Sequence, residues 1–419
     1  MTLMSRSIAV KNIAVRVALI LLKFAFLVLL SRDSSVDNVG QYALILSTVT
    51  ILVFVLGGEF HSIACRAVVT EKRLEERYFI FTNHMLFLLV SFLFFLLVYF
   101  LLGVERLVGS YFFLGGGVLL ILFFELISQD LGRYLLMVEK PLQSNVLQLV
   151  RGGLWLVPAY LLILKNPVDE HIHIIINSWI IGGVASVLIG FFLLRNDLKL
   201  RFYYNKVWIW ETLKLARGFW LIAMITQLQT YSDRYVLQYF YSEVEVGVLA
   251  LFQSFTNIIQ TFVQVGVITI FLPRLIKVFS DNNTVEFKNL IGSMYKNTLF
   301  IIVFMAISLL FFINPVLILI GKQAFIESKD VFYIQLLSTI AFTLATVPHM
   351  ILYSMKRDML LLFVSLTALP VFYLLLIFSA KFYGLAGVVY SMLVFNTLVF
   401  GSKFVLSKYF VGKWAREET

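Results

Sequence analysis

Residues 217–264 read RGFWLIAMITQLQTYSDRYVLQYFYSEVEVGVLALFQSFTNIIQTFVQ. Two apolar runs meet there at a short acidic connection, and the first run carries the adjacent pair Asp233 and Arg234. The second run has carboxamide side chains at intervals of four, three and four residues, which places them on one helix face: Gln253, Asn257, Gln260 and Gln264. Polar groups at membrane depth are tolerated only against protein or beside water. The stretch therefore predicts a helical membrane bundle with a polar lumen.

The composition of the whole chain agrees with a membrane protein. Hydrophobic residues make up 60% of the 419 residues and charged residues 14%, whereas soluble domains are about 25% charged. The net charge of +10 does not indicate nucleic acid, because the Lys and Arg residues lie between apolar runs rather than in one patch. The single cysteine, Cys65, excludes an internal disulfide. We expect no bound metal and no cofactor.

The apolar runs are long enough to cross a bilayer many times. A bilayer core of about 30 Å needs roughly 20 apolar residues per helix. The first run is too long for a signal peptide and has no small-residue cleavage site. We predict an all-α integral membrane protein with about twelve transmembrane helices, at 8–31, 40–63, 79–102, 111–138, 142–164, 172–194, 213–241, 246–272, 295–320, 330–355, 359–380 and 384–407.

The charge of the connections predicts the orientation. With the N-terminus in the cytoplasm, the inside segments hold roughly nineteen Lys and Arg residues and the outside loops about six. This bias predicts that both termini are cytoplasmic, in agreement with an even number of spans. No connection is long enough to form a separate soluble domain, and no phosphate-cradling ATPase loop is present.

The chain also repeats itself at half its length. A Ser-acidic turn followed by Val-Gly and an apolar helix occurs at 34–44 and again at 242–251, and a Glu139-Lys140 turn is matched by Lys356-Arg357. Six spans separate the copies, so the orientation is unchanged. We predict two pseudo-symmetric six-helix lobes around a central cavity, with spans one to six in 1–200 and spans seven to twelve in 201–419.

Two cations in the first span are candidates for binding an anion. Arg16 and Lys23 are seven residues apart, on the same face of the predicted helix. Lys23 falls near mid-membrane, where a cation costs roughly 2.5–3.5 kcal/mol. Either these side chains line the lumen and meet an anionic substrate, or Arg16 extends to the interface and Lys23 pairs with a structural carboxylate.

Three carboxylates within the spans are candidates for ion coupling. Glu125 is central in span four and has no partner three or four residues away. Asp130 has Arg133 at that spacing, so an intrahelical ion pair is the simpler explanation for it. Asp233 and Arg234 point about 100° apart on a helix, which predicts that they do not face one neighbour. Arg234 is either a substrate contact or a structural partner.

The carboxamide face of span eight is the strongest lumen marker, because amides suit the many hydroxyls of a sugar. A weaker stripe in span ten consists of Gln335, Thr339, Thr343 and Thr346. Hydrogen bonding between helices is the alternative explanation for both stripes, and it is the stronger one for span ten.

Two turns resemble a known family. Ser31-Arg32, followed by Val39-Gly40-Gln41-Tyr42-Ala43-Leu44, resembles the turn that ends span one in Wzx-type polysaccharide flippases. These belong to the multidrug/oligosaccharidyl-lipid/polysaccharide exporter superfamily. Ser232-Asp233-Arg234, followed by Glu245-Val246-Gly247, resembles the start of their second lobe, although Val248-Leu249 stands where an aromatic residue is frequent. The span count extends the resemblance along the whole chain.

The resemblance implies a flippase of the bacterial inner membrane and not an enzyme. It would move an undecaprenyl-pyrophosphate-linked oligosaccharide, such as an O-antigen, capsule or exopolysaccharide repeat unit, by alternating access driven by a proton or sodium gradient. The expected partners are this lipid-linked oligosaccharide, membrane lipids, and the polymerase and chain-length regulator of the same lipopolysaccharide-type pathway.

Two alternatives remain open from the sequence. A multidrug or cation antiporter of the same superfamily would favour acidic and aromatic lumen residues over cations. An integral-membrane polysaccharide polymerase would be expected to have a large outside loop or a carboxylate-rich site, and the outside loops predicted here are short.

Overall fold

The computed structural model describes residues 3–103, 115–201 and 204–417, with side chains from 11 to 416 within these ranges. All regular structure in these ranges is helical, which confirms the all-α fold. The chain packs as two compact units, unit 1 (Met1–Tyr231) and unit 2 (Ser232–Thr419). The division falls inside a long helix, and the lobe boundary near residue 200 stays a prediction.

Nine α-helices begin within the described residues of unit 1. They are α1 (Leu3–Asp33), α2 (Val36–Gly57), α3 (Phe60–Thr70), α4 (Leu74–Leu101), α5 (Gly116–Met137), α6 (Pro141–Leu149), α7 (Leu156–Ile163), α8 (His171–Leu194) and α9 (Lys206–Phe240), which continues into unit 2. A π-helical segment, Val150–Leu154, joins α6 to α7, so that the two form one membrane-length helix. The predicted second span is too long at its end, because α2 stops at Gly57 and the next two residues have positive φ.

Unit 2 repeats the use of a π-helical segment. Its helices are α10 (Glu243–Val263), α11 (Thr269–Ser280), α12 (Thr284–Ile320), α13 (Gln323–Glu327), α14 (Lys329–Ser354) and α15 (Asp358–Glu417). The π-helical segment Gln264–Ile268 joins α10 to α11. A break at Gly384, with φ 58° and ψ −141°, divides α15 into two spans, 358–383 and 385–417. Only glycine adopts this conformation readily.

The helices match the predicted spans. Nine helical segments of the described ranges are long and apolar enough to cross a membrane, and the last of them covers both predicted spans eleven and twelve. Predicted spans four and seven correspond to α5 and α9, which are helical but richer in charged residues. The start of span four lies outside the described residues. The chain is a multi-pass membrane protein.

The first internal repeat is visible as a pair of helix caps. Ser35 begins α2 and its Oγ accepts a hydrogen bond from the backbone N–H of Asn38 at 3.1 Å. Ser242 begins α10 and its Oγ accepts from the backbone N–H of Val244 at 3.3 Å. Serine in this position satisfies one of the free N–H groups at a helix start. The same cap therefore starts the corresponding helix of each unit.

The second repeat is a pair of matching turns. Glu139 after α5 has φ 61° and Lys356 after α14 has φ 57°. In each turn the next residue donates its backbone N–H to a carbonyl five residues back, Lys140 to Leu135 at 2.8 Å and Arg357 to Leu352 at 3.0 Å. This is the Schellman arrangement that ends many helices. The repeat seen in the sequence thus has the same backbone geometry in both units.

Candidate functional site

An ion pair in unit 1 joins α5 to the π-helical segment. Arg151 Nε lies 3.4 Å from Glu125 Oε2, and both side chains are mostly buried. Trp179 Nε1 on α8 donates to the other oxygen of Glu125 at 2.8 Å. Glu125, which has no partner within its own helix, therefore finds one charged and one neutral donor on neighbouring helices. Neither partner follows from spacing in the sequence.

Lys23 on α1 adds a second cation to this pair. It lies against Gly152, where an added Cβ would stand 3.3 Å from Lys23 Nζ. Both Arg151 and Glu125 interact with its charge. We call Lys23, Arg151 and Glu125 the cationic cluster, because it contains two basic side chains and one carboxylate. With both basic side chains protonated, an anion would restore neutrality there, which is chemistry suited to a phosphate group.

Aromatic packing holds Trp179 in place. Its ring stacks on Trp155 with centroids 5.3 Å apart and planes at 11°. Trp155 in turn fills the space left by Gly182, where an added Cβ would lie 2.6 Å from the indole. Small residues commonly permit such close helix contacts in membranes. The indole N–H is thus fixed towards Glu125.

Arg16 takes part in a chain of hydrogen bonds between α1 and α6. Its Nε donates to Asn145 Oδ1 at 3.0 Å, and Asn145 Nδ2 donates to Asn12 Oδ1 at 2.8 Å. Arg16 and Lys23 both contact the helix that α6 and the π-helical segment form, as their shared face predicts. The role of Arg16 in binding a substrate stays a prediction.

Asp130 lies in a buried network in unit 1. Arg133 Nη1 donates to its Oδ1 at 2.5 Å, which is the intrahelical pair expected from the spacing. On the other side, His84 Nε2 of α4 lies 3.3 Å from Asp130 Oδ2. His84 Nδ1 contacts the Tyr134 hydroxyl at 2.8 Å. Asp130 is therefore held by two basic side chains, one of which the sequence analysis did not single out.

A cleft opens between α5 and α6 beside this network. Its volume is about 110 Å³, several times the about 10–15 Å³ that one water requires. We call it the polar cleft. Its lining residues are Ser128, Gln129, Gly132, Arg133, Leu136, Ser144, Leu147, Gln148 and Arg151. Arg151 belongs to both the cationic cluster and the polar cleft, so the two form one continuous basic region of unit 1.

In unit 2, one carboxamide contacts both members of the Asp-Arg pair. Gln253 Nε2 donates to Asp233 Oδ2 at 2.5 Å, and Arg234 Nη2 donates to Gln253 Oε1 at 3.1 Å. The prediction that Asp233 and Arg234 do not face one neighbour is wrong. An amide has a donor end and an acceptor end, and its length lets it reach side chains that leave α9 in different directions.

The remaining carboxamides of α10 differ from Gln253 in burial. Gln253 is buried, Gln260 is half-buried, and Asn257 and Gln264 are exposed. Gln264 is the first residue of the π-helical segment. Three of the four amides thus keep accessible surface, and their assignment to a sugar-binding lumen stays a prediction.

The weaker stripe in span ten takes part in bonding between helices. Thr339 Oγ1 on α14 donates to Thr256 Oγ1 on α10 at 2.9 Å, and Gln335 Nε2 donates to Thr339 Oγ1 at 3.4 Å. Thr343 Oγ1 donates to the Thr339 carbonyl. These contacts agree with the structural explanation of that stripe.

Arg151, Trp179 and His84 are the site residues that the sequence analysis missed. Arg151 and His84 are ionisable and lie inside apolar spans, a signal that alone marks a functional candidate. For Trp179 no comparable signal exists, because a tryptophan in an apolar helix is unremarkable until its partner is known.

The comparisons with known proteins agree with this architecture. Residues 9–279 match the family model described as "Polysaccharide biosynthesis protein". None of the curated proteins compared gives a match. The match covers more than half of the chain and confirms the resemblance to the polysaccharide branch of the exporter superfamily.

Solved transporters share the fold at low sequence identity. The chain is similar to a structure described as lipid II flippase MurJ in an inward closed conformation, with TM-score 0.75, 15% identity, and coverage of 96% of this chain and 87% of that one. It is also similar to an inward-facing multidrug resistance MATE transporter of the MOP superfamily, with TM-score 0.68, 12% identity, and coverage of 98% and 100%. A third structure, a MOP superfamily transporter from Pyrococcus furiosus Vc1 described as having reverse polarity of its binding pocket, gives TM-score 0.60, 12% identity, and coverage of 97% and 94%. Because the family model matches more than half of its residues, this chain belongs to the polysaccharide biosynthesis protein family, and its fold is that of the MOP superfamily transporters.

Proposed function

We propose that the chain is a flippase for an undecaprenyl-pyrophosphate-linked oligosaccharide, such as an O-antigen, capsule or exopolysaccharide repeat unit. It moves this unit from the cytoplasmic to the periplasmic leaflet of the bacterial inner membrane by alternating access, with both termini in the cytoplasm. An ion gradient supplies the energy. The polymerase and chain-length regulator of the pathway are its functional partners.

The cationic cluster is the observation that carries this proposal. Arg151 pairs with Glu125 and Lys23 lies beside this pair, so the cluster holds two basic side chains for one carboxylate. Guanidinium and ammonium groups bind phosphate oxygens strongly in a low dielectric. A pyrophosphate is the charged part of such a substrate, and the accessible amides Asn257, Gln260 and Gln264 suit its sugars.

The arrangement of the carboxylates favours this substrate over the alternatives. Glu125 and Asp130 each pair with an arginine, at 3.4 Å and 2.5 Å. Asp233 accepts from Gln253. A multidrug or cation antiporter would present carboxylates to its cationic substrate, whereas here Glu125 and Asp130 are each paired with an arginine and Asp233 accepts from an amide. A polysaccharide polymerase would need a catalytic group in place of these ion pairs.

Surface-glycan display in a bacterial strain that depends on this chain tests the proposal. Lys23→Ala and Arg151→Ala should each reduce display at least tenfold at normal abundance in the membrane. Lys165→Ala is the matched control, because Lys165 is an exposed lysine of unit 1 just after α7. Normal display by both cluster variants at normal abundance would refute the proposed role of the cluster.

A further inference from the structure

A lysine and a histidine meet between two helices of unit 2. Lys403 Nζ lies 3.3 Å from His349 Nδ1, and this contact joins the second part of α15 (385–417) to α14. Two turns earlier on α15, Asn396 Nδ2 donates to Ser338 Oγ of α14 at 3.0 Å. The two helices are thus held side by side by polar contacts, and α14 fixes the position of the lysine ammonium group.

This pair has no acidic partner among the described residues. Lys403 forms no ion pair there, and His349 interacts with the charge of Lys403 alone. In unit 1, by contrast, Arg133 and Arg151 each contact a carboxylate. An ionisable side chain within a membrane span is costly unless a partner compensates it, and it marks a functional candidate. The pair therefore calls for an acceptor that the described chain does not supply.

The contact with Lys403 determines which ring nitrogen of His349 donates. An ammonium group has only donors, so Nδ1 accepts, and the proton of the neutral ring then lies on Nε2. His349 Nε2 has no hydrogen-bond partner in the described part of the chain and keeps accessible surface. The ammonium group has two further N–H groups. The pair thus offers three N–H donors and no acceptor.

The side chain of Tyr353 extends this donor set. Tyr353 follows His349 by four residues, so both lie on the same face of α14. Its side chain is exposed, and its hydroxyl has no hydrogen-bond partner among the described residues. A hydroxyl donates or accepts as its partner requires. Charge and donors at this place on α14 therefore suit an anion with several oxygens.

The matching turns show that unit 1 has a basic side chain at the corresponding level. His349 is seven residues before Lys356, and Arg133 of the polar cleft is six residues before Glu139. At 1.5 Å per residue, both lie roughly 10 Å along the helix from their turn. Corresponding helices of the two units thus carry basic side chains at the same height.

We propose that Lys403 and His349 bind one phosphate group, which gives unit 2 a phosphate site of its own. Lys403 supplies the positive charge and two N–H groups, and His349 Nε2 supplies a third donor to the phosphate oxygens. The phosphate belongs to the diphosphate of a lipid-linked sugar or to the headgroup of an anionic phospholipid, which present the same oxygens. This inference goes beyond the proposed function, because the site binds phosphate whether or not the chain exports glycans.

Titration calorimetry on the full chain in phosphatidylcholine nanodiscs tests the site, with inorganic pyrophosphate as the probe. The background is Lys23→Ala with Arg151→Ala, which removes both basic side chains of the cationic cluster. We expect pyrophosphate to bind this background, and Lys403→Met or His349→Phe to weaken that binding about tenfold. His349→Gln should retain it, because the glutamine amide keeps an N–H donor near the place of the ring Nε2.

Phosphatidylglycerol separates the two sources of the phosphate. Native mass spectrometry of the purified chain counts the phosphatidylglycerol molecules that it retains. Retention that Lys403→Met abolishes, without pyrophosphate binding, would assign the site to a phospholipid. Pyrophosphate binding that added phosphatidylglycerol does not displace would assign it to a lipid-linked diphosphate. Lys408→Ala is the matched control, because Lys408 is an exposed lysine of the same helix, and it should retain both probes.

Three results would overturn the proposal. Lys403→Met and His349→Phe could bind both probes as the background does, or Lys408→Ala could lose as much as Lys403→Met, which would show an effect of net charge alone. If Lys403→Met does not fold, equal affinities of His349→Phe and His349→Gln would contradict the role of the ring. Glycan display enters none of these outcomes, so failure of this site and failure of the flippase are separate results.

Discussion

Arg151 Nε and Glu125 Oε2 stand 3.4 Å apart, and this contact fixes a π-helical segment against α5. A π-helical turn adds a residue to the helix and turns its side chains to new directions, and such turns are frequent at functional sites. Arg151 is one residue into the turn, next to two glycines. The segment therefore aims a cation at a carboxylate and leaves room beside it for Lys23.

The first prediction concerns this ion pair. Glu125→Gln leaves Arg151 and Lys23 without a carboxylate between them, and we expect the free energy of unfolding to fall by about 3 kcal/mol. The double variant Arg151→Gln with Glu125→Gln should lose less, because only one of the two basic side chains then remains uncompensated. Unfolding of the purified protein in detergent measures both. Equal losses in single and double variants would show that the pair is not coupled.

The second prediction concerns the space that Gly152 leaves for Lys23. An alanine Cβ would stand 3.2 Å from Lys23 Cε, so Gly152→Ala should move the ammonium group and weaken pyrophosphate binding about threefold. Gly218→Ala is the control, because nothing lies within 4 Å of a Cβ at that position. Titration calorimetry compares them, and equal affinities would refute the positioning role.

The third prediction separates two residues of the carboxamide stripe. Gln253→Ala removes the bridge between Asp233 and Arg234, so we expect a stability loss of about 1–3 kcal/mol and reduced abundance in the membrane. Gln260→Ala changes a half-buried side chain and should reduce glycan export at normal abundance. Quantitative immunoblots beside glycan display distinguish the two. Normal abundance of Gln253→Ala would contradict the structural role of the bridge.

The fourth prediction concerns the two matching turns. Glu139 and Lys356 adopt positive φ, which costs a side chain roughly 1 kcal/mol relative to glycine. Glu139→Gly and Lys356→Gly should therefore each raise the free energy of unfolding by about 0.5–1 kcal/mol. Neither substitution requires a neighbouring residue to move. A loss of stability in either variant would show that its side chain has a contact that outweighs the backbone strain.

The sequence predicted the features that depend on local patterns. Runs of apolar residues predicted where the helices lie. Ser35 and Ser242 marked the starts of equivalent helices in both units, because a serine cap acts within one turn. The spacing of Asp130 and Arg133 predicted their ion pair for the same reason.

The sequence did not predict which polar side chains on different helices contact each other. His84 meets Asp130 across 46 positions of the chain, and Trp179 meets Glu125 across 54. The adjacent pair Asp233 and Arg234 was misjudged because a flexible amide on another helix reaches both. The π-helical turn that orients Arg151 has no sequence signature beyond its two glycines.

The leaflet that holds the lipid-linked oligosaccharide tests the central claim most directly. Cells lacking this chain would be labelled with a glycan-reactive probe that does not cross the inner membrane, in spheroplasts and in inverted vesicles. We predict that the unit accumulates on the cytoplasmic leaflet and returns to the periplasmic leaflet when the wild-type chain, but not Lys23→Ala, is supplied. Units that reach the periplasmic leaflet without this chain, and remain there unpolymerised, would contradict the flippase and favour a polymerase.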